Sequence, residues 1–268
     1  MMELRKVKAV RYVTPMREGG SMPALVEADD GKQYVVKLRG AGQGTLALAA
    51  EVIVGEIARV LGLKVPELAL VEIDPLFGRA ERDPEIRDLL RASTGTNVGL
   101  KFLGGSTMFD PAAGDEVDPA QASLIVWLDA FALNVDRTSR NANLLLWSLL
   151  FWLPKDLWLI DHGAALYFHH NWPSMPGKIQ SKAEHIKDHI LLRWATEIPQ
   201  AGIHARSRLT NRILTEIAGL VPDDWLEAEK DGPRAAQRRA EYVEFFENRL
   251  KHATIFEEEI DRARRDTI

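Results

Sequence analysis

The 268-residue chain contains no cysteine. That absence excludes disulfide staples, thiolate nucleophiles and cysteine-based zinc sites, and it accords with a cytoplasmic protein. Long hydrophobic runs are missing too. The most apolar stretch, Leu144–Leu153, is about half the ~20 residues that a spanning helix needs. No apolar segment follows Met1-Met2-Glu3-Leu4-Arg5-Lys6, so no signal peptide is expected. Positive charge is not in excess: a net charge of −5 gives no global attraction to nucleic acid or to an anionic membrane. Internal repeats and low-complexity tracts are also absent.

What remains is the composition of a soluble globular protein, with 46% hydrophobic and 27% charged residues and ample material for a core. The length suits one domain of two lobes. The most informative stretch begins with Asn134-Val135-Asp136-Arg137-Thr138-Ser139-Arg140-Asn141 and ends with Ile160-Asp161-His162-Gly163. Between them lie two apolar runs of strand length, Leu144–Trp147 and Leu157–Ile160, which deliver both ends to one edge. Phosphoryl transfer needs a carboxylate to take the hydroxyl proton and oxygen ligands to hold Mg²⁺ against the phosphates. Asp136 fits the base, and Asn141 and Asp161 fit the metal ligands. Asp, Ser, Thr and Asn are also ordinary loop residues; the strand-turn-strand that follows raises the pattern above that reading.

Upstream, Val7–Val13, Pro23–Ala28 and Gln33–Leu38 read as three antiparallel strands, the last two joined by the hairpin signal Asp29-Asp30-Gly31. The loop between the first two carries Gly19, Gly20 and Ser21. Backbone without Cβ atoms approaches phosphate oxygens closely, and Lys37 at the end of the third strand supplies a point charge. A plain loop and a solvated strand-end lysine are the bland alternatives. A helix over Thr45–Leu61 follows. In a kinase this helix carries the glutamate that pairs with the strand lysine, and Glu51 is the choice over Glu56. Glu56 lies about 140° further round the helix at ~100° per residue. Asp74–Arg91, rich in Glu, Arg and Asp, reads as a solvated helix-loop excursion. Val98–Leu103 reads as the last strand before a linker, where an adenine would meet backbone groups.

Pro119–Leu133 is apolar nearly all round and reads as a buried helix feeding the Asp136 loop. Asp129 within it is expected to be a buried acceptor bracing that loop. The apolar connection Ser148–Asp156 is expected to continue strand pairing against the body of the protein, with an exposed patch for a protein partner as the alternative. Adjacent histidines, His169-His170, with His162, lack metal-ligand spacing. Helices are expected over Lys187–Ala195, Thr210–Leu220, Ala235–His252 and Thr254–Arg264, broken at Pro199, Pro222 and Gly232-Pro233, with a capped helix start at Pro222-Asp223. Arg206, Arg208, Arg212, Arg234, Arg238 and Arg239 read as a solvated face.

Asp136-Arg137-x-x-x-Asn141 resembles the catalytic loop of HipA-type kinases and of phosphatidylinositol kinases. It departs from ordinary eukaryotic-type protein kinases. Asn134-Val135 stands where His-Arg is expected, Thr138 replaces a lysine, and His162 replaces the Phe of Asp-Phe-Gly. The pattern over Val7 to Asn171 is similar to that of small, single-domain HipA-like kinases, and their matching helix also places its Glu as at Glu51. The resemblance implies an α+β, protein-kinase-like two-lobed fold, with a small antiparallel β-rich N-lobe carrying one helix (residues 1–105) and a mainly helical C-lobe (106–268). It implies ATP- and Mg²⁺-dependent transfer to a Ser or Thr hydroxyl, autophosphorylation included. Arg140 is preferred to Arg137 for stabilising the transferring phosphoryl, because the HipA loop also has a basic residue just before its Asn. The chain leaves no room for the extra N-terminal subdomain of longer HipA toxins, so no toxin role, protein antitoxin or DNA complex is carried over. A small-molecule or lipid kinase on the same fold, and a non-catalytic nucleotide-binding module, are the rival readings.

Overall fold

The computed structural model describes residues 2–16, 22–79, 81–150, 152–227 and 234–267. The N-terminal part is built on five strands: β1 (Arg5–Pro15), β2 (Ala24–Ala28), β3 (Gln33–Lys37), β4 (Leu68–Ile73) and β5 (Gly95–Lys101), with helix α1 (Gly44–Val60) between β3 and β4 and α2 (Pro84–Ala92) between β4 and β5. The first three strands are antiparallel, as their turn chemistry predicts. The sheet then closes into a barrel in the order β1-β2-β3-β5-β4, with β1 and β4 parallel. Closure removes the exposed edges that a small open sheet would present.

Alternation decides what fills the barrel. Val26, Tyr34, Val36, Val71 and Ile73 point inward and are fully buried. At Gly99 of β5, an added Cβ would stand 2.7 Å from a Val71 methyl and 3.1 Å from Tyr34 Cβ. Glycine there lets the strand cross the barrel at close approach. Helix α2 plugs one end through Leu90, and it starts at Asp83, whose carboxylate accepts from the Glu85 amide at 2.9 Å. The helix of the expected Asp74–Arg91 helix-loop excursion is therefore α2, with a capped start.

The C-terminal part contains the short β6 (Thr107–Met108), α3 (Pro119–Ala132), the hairpin of β7 (Leu144–Trp147) and β8 (Asp156–Leu159), and then α4 (Met175–Ile179), α5 (Ile198–Arg208), α6 (Asn211–Ala218), α7 (Asp223–Leu226), α8 (Ala235–Lys251) and α9 (Ala253–Thr267). Helix α3 is its axis. Trp127 and Phe131 are fully buried and stack at 4.9 Å between centroids, with Phe256 and Phe246 closing around them. The guanidinium of Arg249, also buried, donates to the Ala130 and Phe131 carbonyls at 2.7 and 2.8 Å, and to Ile179 and Ser181 at 2.9 and 3.0 Å. It thus satisfies the orphan acceptors at the end of α3 and joins that helix to α4 and α8. Burial pulls this guanidinium down to about 9.

Helix α1 belongs to the large core rather than to the barrel interior, with Leu48, Val52, Ile53 and Ile57 buried in it. Helix α7 ties the two parts together. Trp225 Nε1 donates to Thr96 O at 3.0 Å, Trp225 O accepts from Thr45 Oγ1 at 2.9 Å, and Arg39 pairs with Asp224 at 2.6 Å. The helix begins after Pro222 as expected, but with no side-chain cap; Asp223 instead accepts from Arg239.

Three expectations are corrected. Lys187–Ala195 is not an α-helix but two 3-10 turns, Glu184–Asp188 and Leu192–Trp194, around an extended His189. Backbone pairing of this segment with the Asp136 loop outweighs its helical periodicity. Pro199 does not break a helix; it sits in the first turn of α5, where a missing N–H costs nothing. The β7–β8 connection does not lie buried on the protein: Leu149 is 76% exposed and Leu153 47%. Among the described residues, no helix is long and apolar enough to cross a membrane.

Candidate active site

The end of α3 launches the central loop. Leu133 turns the chain in a left-handed conformation (φ 55°), and the Asn134 amide donates to Asp129 O at 2.8 Å. Asp129 is the loop's internal anchor, as its apolar surroundings suggest. Its carboxylate accepts from Asn134 Nδ2 at 2.9 Å, Arg137 Nε at 2.6 Å and His189 Nε2 at 3.0 Å. The His189 tautomer follows from its other nitrogen, which accepts from the Leu191 amide at 3.0 Å. Burial pushes the Asp129 carboxyl up, but the Arg137 charge and the His189 hydrogen bond outweigh it and hold it well below the usual range.

Arg137 is therefore spent beneath the loop. It also donates to the Asn143 carbonyl at 2.5 Å, so it braces the start of β7 and does not reach the cleft. Arg140 is exposed at the tip of a tight turn, in which the Thr138 amide donates to Asn141 O at 2.9 Å and the Asn141 amide to Thr138 O at 3.1 Å. That turn aims Asp136 and Asn141 at each other. Asn141 Nδ2 donates to Asp136 Oδ2 at 2.9 Å, and Asn143 Nδ2 donates to the Asp136 carbonyl at 2.7 Å. Asn143, which the sequence reading passed over, fixes the backbone of Asp136; its signal was a second Asn two residues after Asn141, immediately before an apolar strand.

Across the cleft, two residues beyond the end of β8, Asp161 is held left-handed at φ 55°. Its Oδ1 meets Lys37 Nζ at 2.5 Å, and Lys37 in turn meets Glu51 Oε2 at 2.7 Å. Lys37 comes from the last residue of β3 and Glu51 from the buried face of α1. Glu56, on another face, pairs with Arg59 at 3.6 Å instead. Glu51 is fully buried and accepts two more bonds, from the His162 amide at 2.7 Å and His162 Nδ1 at 3.3 Å. Burial disfavours the Glu51 carboxylate, yet Lys37 and then His162 overcome this and hold it well below its ordinary value. Burial likewise works against the Lys37 ammonium, and Glu51 and Asp161 together leave it above its usual value. Gly163 completes the close approach, since a Cβ there would lie 3.5 Å from Lys37 Nζ.

Burial, and next the Asp161 charge, raise the Asp136 carboxyl. Two carboxylates thus repel across a narrow space lined by Asn141, whose amide nitrogen is committed to Asp136 and whose Oδ1 is not. Asp161, whose Oδ1 meets Lys37, and the Asn141 Oδ1 are oxygen donors of the kind that suit a hard divalent cation keeping several waters. A cavity of about 510 Å³ adjoins them. Its walls include Val35, Leu100 and Leu103 on the barrel side and Met108, Leu145 and Ile160 on the hairpin side, a largely apolar slot that Lys37, Asn141 and Asp161 also line. The loop carrying Gly19, Gly20 and Ser21 lies outside the described residues; its flanks, Met16 and Pro23, line the slot and are joined by a 2.8 Å backbone hydrogen bond. Of the three histidines weighed in the sequence, His162 serves Glu51, His169 bonds Tyr242 Oη at 2.9 Å, and His170 is exposed.

A β-barrel carrying the helices α1 and α2, a helical second part, and a lysine, glutamate and aspartate meeting at the cleft between them define a protein of the protein-kinase-like class. The family model described as HipA-like kinase matches residues 9–258, and the chain belongs to that family. Among solved structures, the Helicobacter pylori proinflammatory kinase CtkA aligns with a TM-score of 0.54 at 12% identity, covering 99% of each chain. The Golgi casein kinase aligns at 0.50 and 13% identity over 98% of this chain and 75% of that one, and a structure of it with Mn/ADP bound aligns at 0.45. A search of curated proteins returned no match.

Proposed function

We propose that the chain is an ATP- and Mg²⁺-dependent phosphotransferase whose acceptor is a Ser or Thr hydroxyl of a protein, working in the cytoplasm. The observation that carries this reading is the convergence of Lys37, Glu51 and Asp161 on one side of a cleft with Asp136 and Asn141 on the other. In this reading residues 1–105 form the nucleotide-binding lobe and 106–268 the lobe that supplies the base. The apolar slot takes the adenine, and Lys37, positioned by Glu51, holds the α- and β-phosphates, with Gly19, Gly20 and Ser21 covering them. Asn141 and Asp161 hold Mg²⁺, which neutralises phosphate charge when bound.

The acceptor oxygen attacks the γ-phosphorus, the bond from that phosphorus to the β,γ-bridging oxygen breaks, and ADP leaves. Asp136 orients the acceptor hydroxyl and takes its proton. Arg140, exposed at the mouth of the cleft, faces the charge on the transferring phosphoryl. The cysteine-free composition supports the cytoplasmic assignment.

The test is transfer of labelled γ-phosphate from ATP, with Mg²⁺, to the purified protein and to a set of Ser/Thr peptides. Asp136→Ala and Asp161→Ala are each expected to lower incorporation by at least about 10²-fold, while Asp136→Ala keeps a Mg²⁺-dependent thermal shift with ATP. Equal incorporation by wild type and Asp136→Ala would remove Asp136 from the chemistry. An ATP shift without Mg²⁺ dependence would remove Asn141 and Asp161 from metal binding. Transfer to small alcohols or lipids alone would move the acceptor class.

A further inference from the structure

A second cavity, of about 790 Å³, opens on the far side of the Asp136 loop from the nucleotide slot. Thr138, Ser139 and Arg140 form one wall, and Lys187, Asp188 and Arg193 lie along the other. Arg140 lines both cavities, so the second begins where the first ends. The far wall is not a loose surface segment. It is joined to the catalytic loop by the Ile190 amide donating to Arg137 O at 3.1 Å, by an antiparallel bridge between Thr138 and His189, and by His189 on Asp129. Whatever orders the base therefore orders this wall.

Its charge is unusual for the molecule. The chain carries net −5, yet this groove presents three cationic side chains, Arg140, Lys187 and Arg193, against one carboxylate, Asp188. Several arginines elsewhere in the C-terminal part are matched locally: Arg206 to Glu257, Arg238 to Glu241, Arg239 to Asp223, Arg262 to Glu259. Among the described residues, none of the three groove cations makes an ion pair, and Asp188 pairs with none of them. Arg193 is instead held flat over the Trp194 ring at 3.7 Å, which fixes its guanidinium without neutralising it.

We infer that this groove is the acceptor-peptide site and that it selects a Ser or Thr flanked by acidic residues, whose carboxylates meet Lys187, Arg193 and the outer face of Arg140. The inference rests on the protein-acceptor reading above. With the hydroxyl at Asp136, this groove gives the chain on one side of it a path away from the nucleotide cavity, with Arg140 adjoining both. Unmatched cations along that exit favour carboxylates and oppose lysine and arginine, by attraction and by like-charge repulsion alike. The effect is one of surface charges, so each contact is worth about two- to fivefold, and it weakens as salt rises.

The experiment compares one Ser peptide in three versions, with Glu, Ala or Lys at the positions flanking the serine, as substrates for wild type, Lys187→Glu and the double variant Lys187→Glu/Arg193→Glu. Wild type is expected to prefer the Glu version to the Lys version by about tenfold in kcat/KM, mostly through KM, with the gap narrowing at 0.5 M salt. The double variant is expected to lose or reverse that preference, with its Mg²⁺-dependent ATP thermal shift unchanged. Lys187→Glu alone, at an exposed side chain, is expected to give an intermediate ratio and guards against a folding defect from losing the Arg193–Trp194 stack. Transfer that ignores flanking charge, or a preference that survives both charge reversals, overturns the groove assignment while leaving the kinase reading intact. Transfer to no peptide, with the ATP shift present, overturns the protein-acceptor reading and the groove with it.

Discussion

At the scale of single residues, the site is a chain of buried charges in which each partner restrains the next. Glu51 accepts from Lys37, from the His162 amide and from the His162 ring, so the residue after Asp161 holds the glutamate that holds the lysine. Removing the charge by Glu51→Gln leaves Lys37 with Asp161 alone in a buried place, and a loss of about 3 kcal/mol in unfolding free energy is expected. His162→Phe, which restores the residue of ordinary protein kinases, deletes only the 3.3 Å ring contact and should cost about 1–2 kcal/mol. Denaturant midpoints of the two variants check this, and equal losses would mean that the His162 ring matters as much as the ion pair. That Lys37, Glu51 and Asp161 meet, and that Asp136 meets Asn141, was legible in the sequence, because the spacing of strand, helix and hairpin brings them to one cleft. The residues behind them were not. His189 reaches Asp129 across sixty positions, and nothing local marks it as a partner.

The elements divide in the same way. Strands with turn signals and helices with a strong apolar stripe stand within a few residues of their expected bounds: α1, α3, α8 and β7 owe their form to local pattern. What could not be read is what tertiary contact decides. The segment around His189 has helical spacing but is drawn out to pair with the Asp136 loop, and closure of the barrel through the β1–β4 pair leaves no mark in either strand. Arg249 is a third case. It lies on α8 with the heptad-like look of a surface arginine, yet it is buried and serves carbonyls from α3 and from the end of α4. Arg249→Met keeps the bulk and removes the donors, leaving the five carbonyls it serves, those of Ala130, Phe131, Lys178, Ile179 and Ser181, to find water. A loss of about 3–5 kcal/mol is expected, with the aromatic near-ultraviolet circular dichroism of the Trp127–Phe131 cluster changed as α3 loosens. A variant within 0.5 kcal/mol of wild type would show that relief from burying the charge offsets the lost bonds, as it does in some buried ion pairs.

For the molecule as a whole, the buried titratable groups set how stability depends on pH, and they act in separate windows. Glu51 and Asp129 are held below their ordinary values, so the stability they confer is fully present above about pH 4 and is lost only as pH falls beneath it. They contribute no slope between pH 5 and 7.5. The histidines do. His169, His185 and His189 are all depressed by burial, His169 to about 3, with exposed His170 a minor addition to that shift. The sign follows from proton counting. Between the unfolded value of about 6.5 and the folded one, the unfolded chain binds the proton and the folded chain does not, so unfolding is favoured as pH falls. His169 alone, with a folded value about 3, should withdraw about 2 kcal/mol on going from pH 7.5 to pH 5. His169→Asn retains an acceptor for Tyr242 Oη and has nothing to titrate. It is expected to be less stable than wild type at pH 7.5 and to close most of that gap by pH 5. Unfolding curves at the two pH values measure the difference directly. Parallel losses in wild type and variant would mean that the acid sensitivity belongs to His185 and His189, which lie by the Asp129 anchor of the Asp136 loop, and that this anchor loosens first.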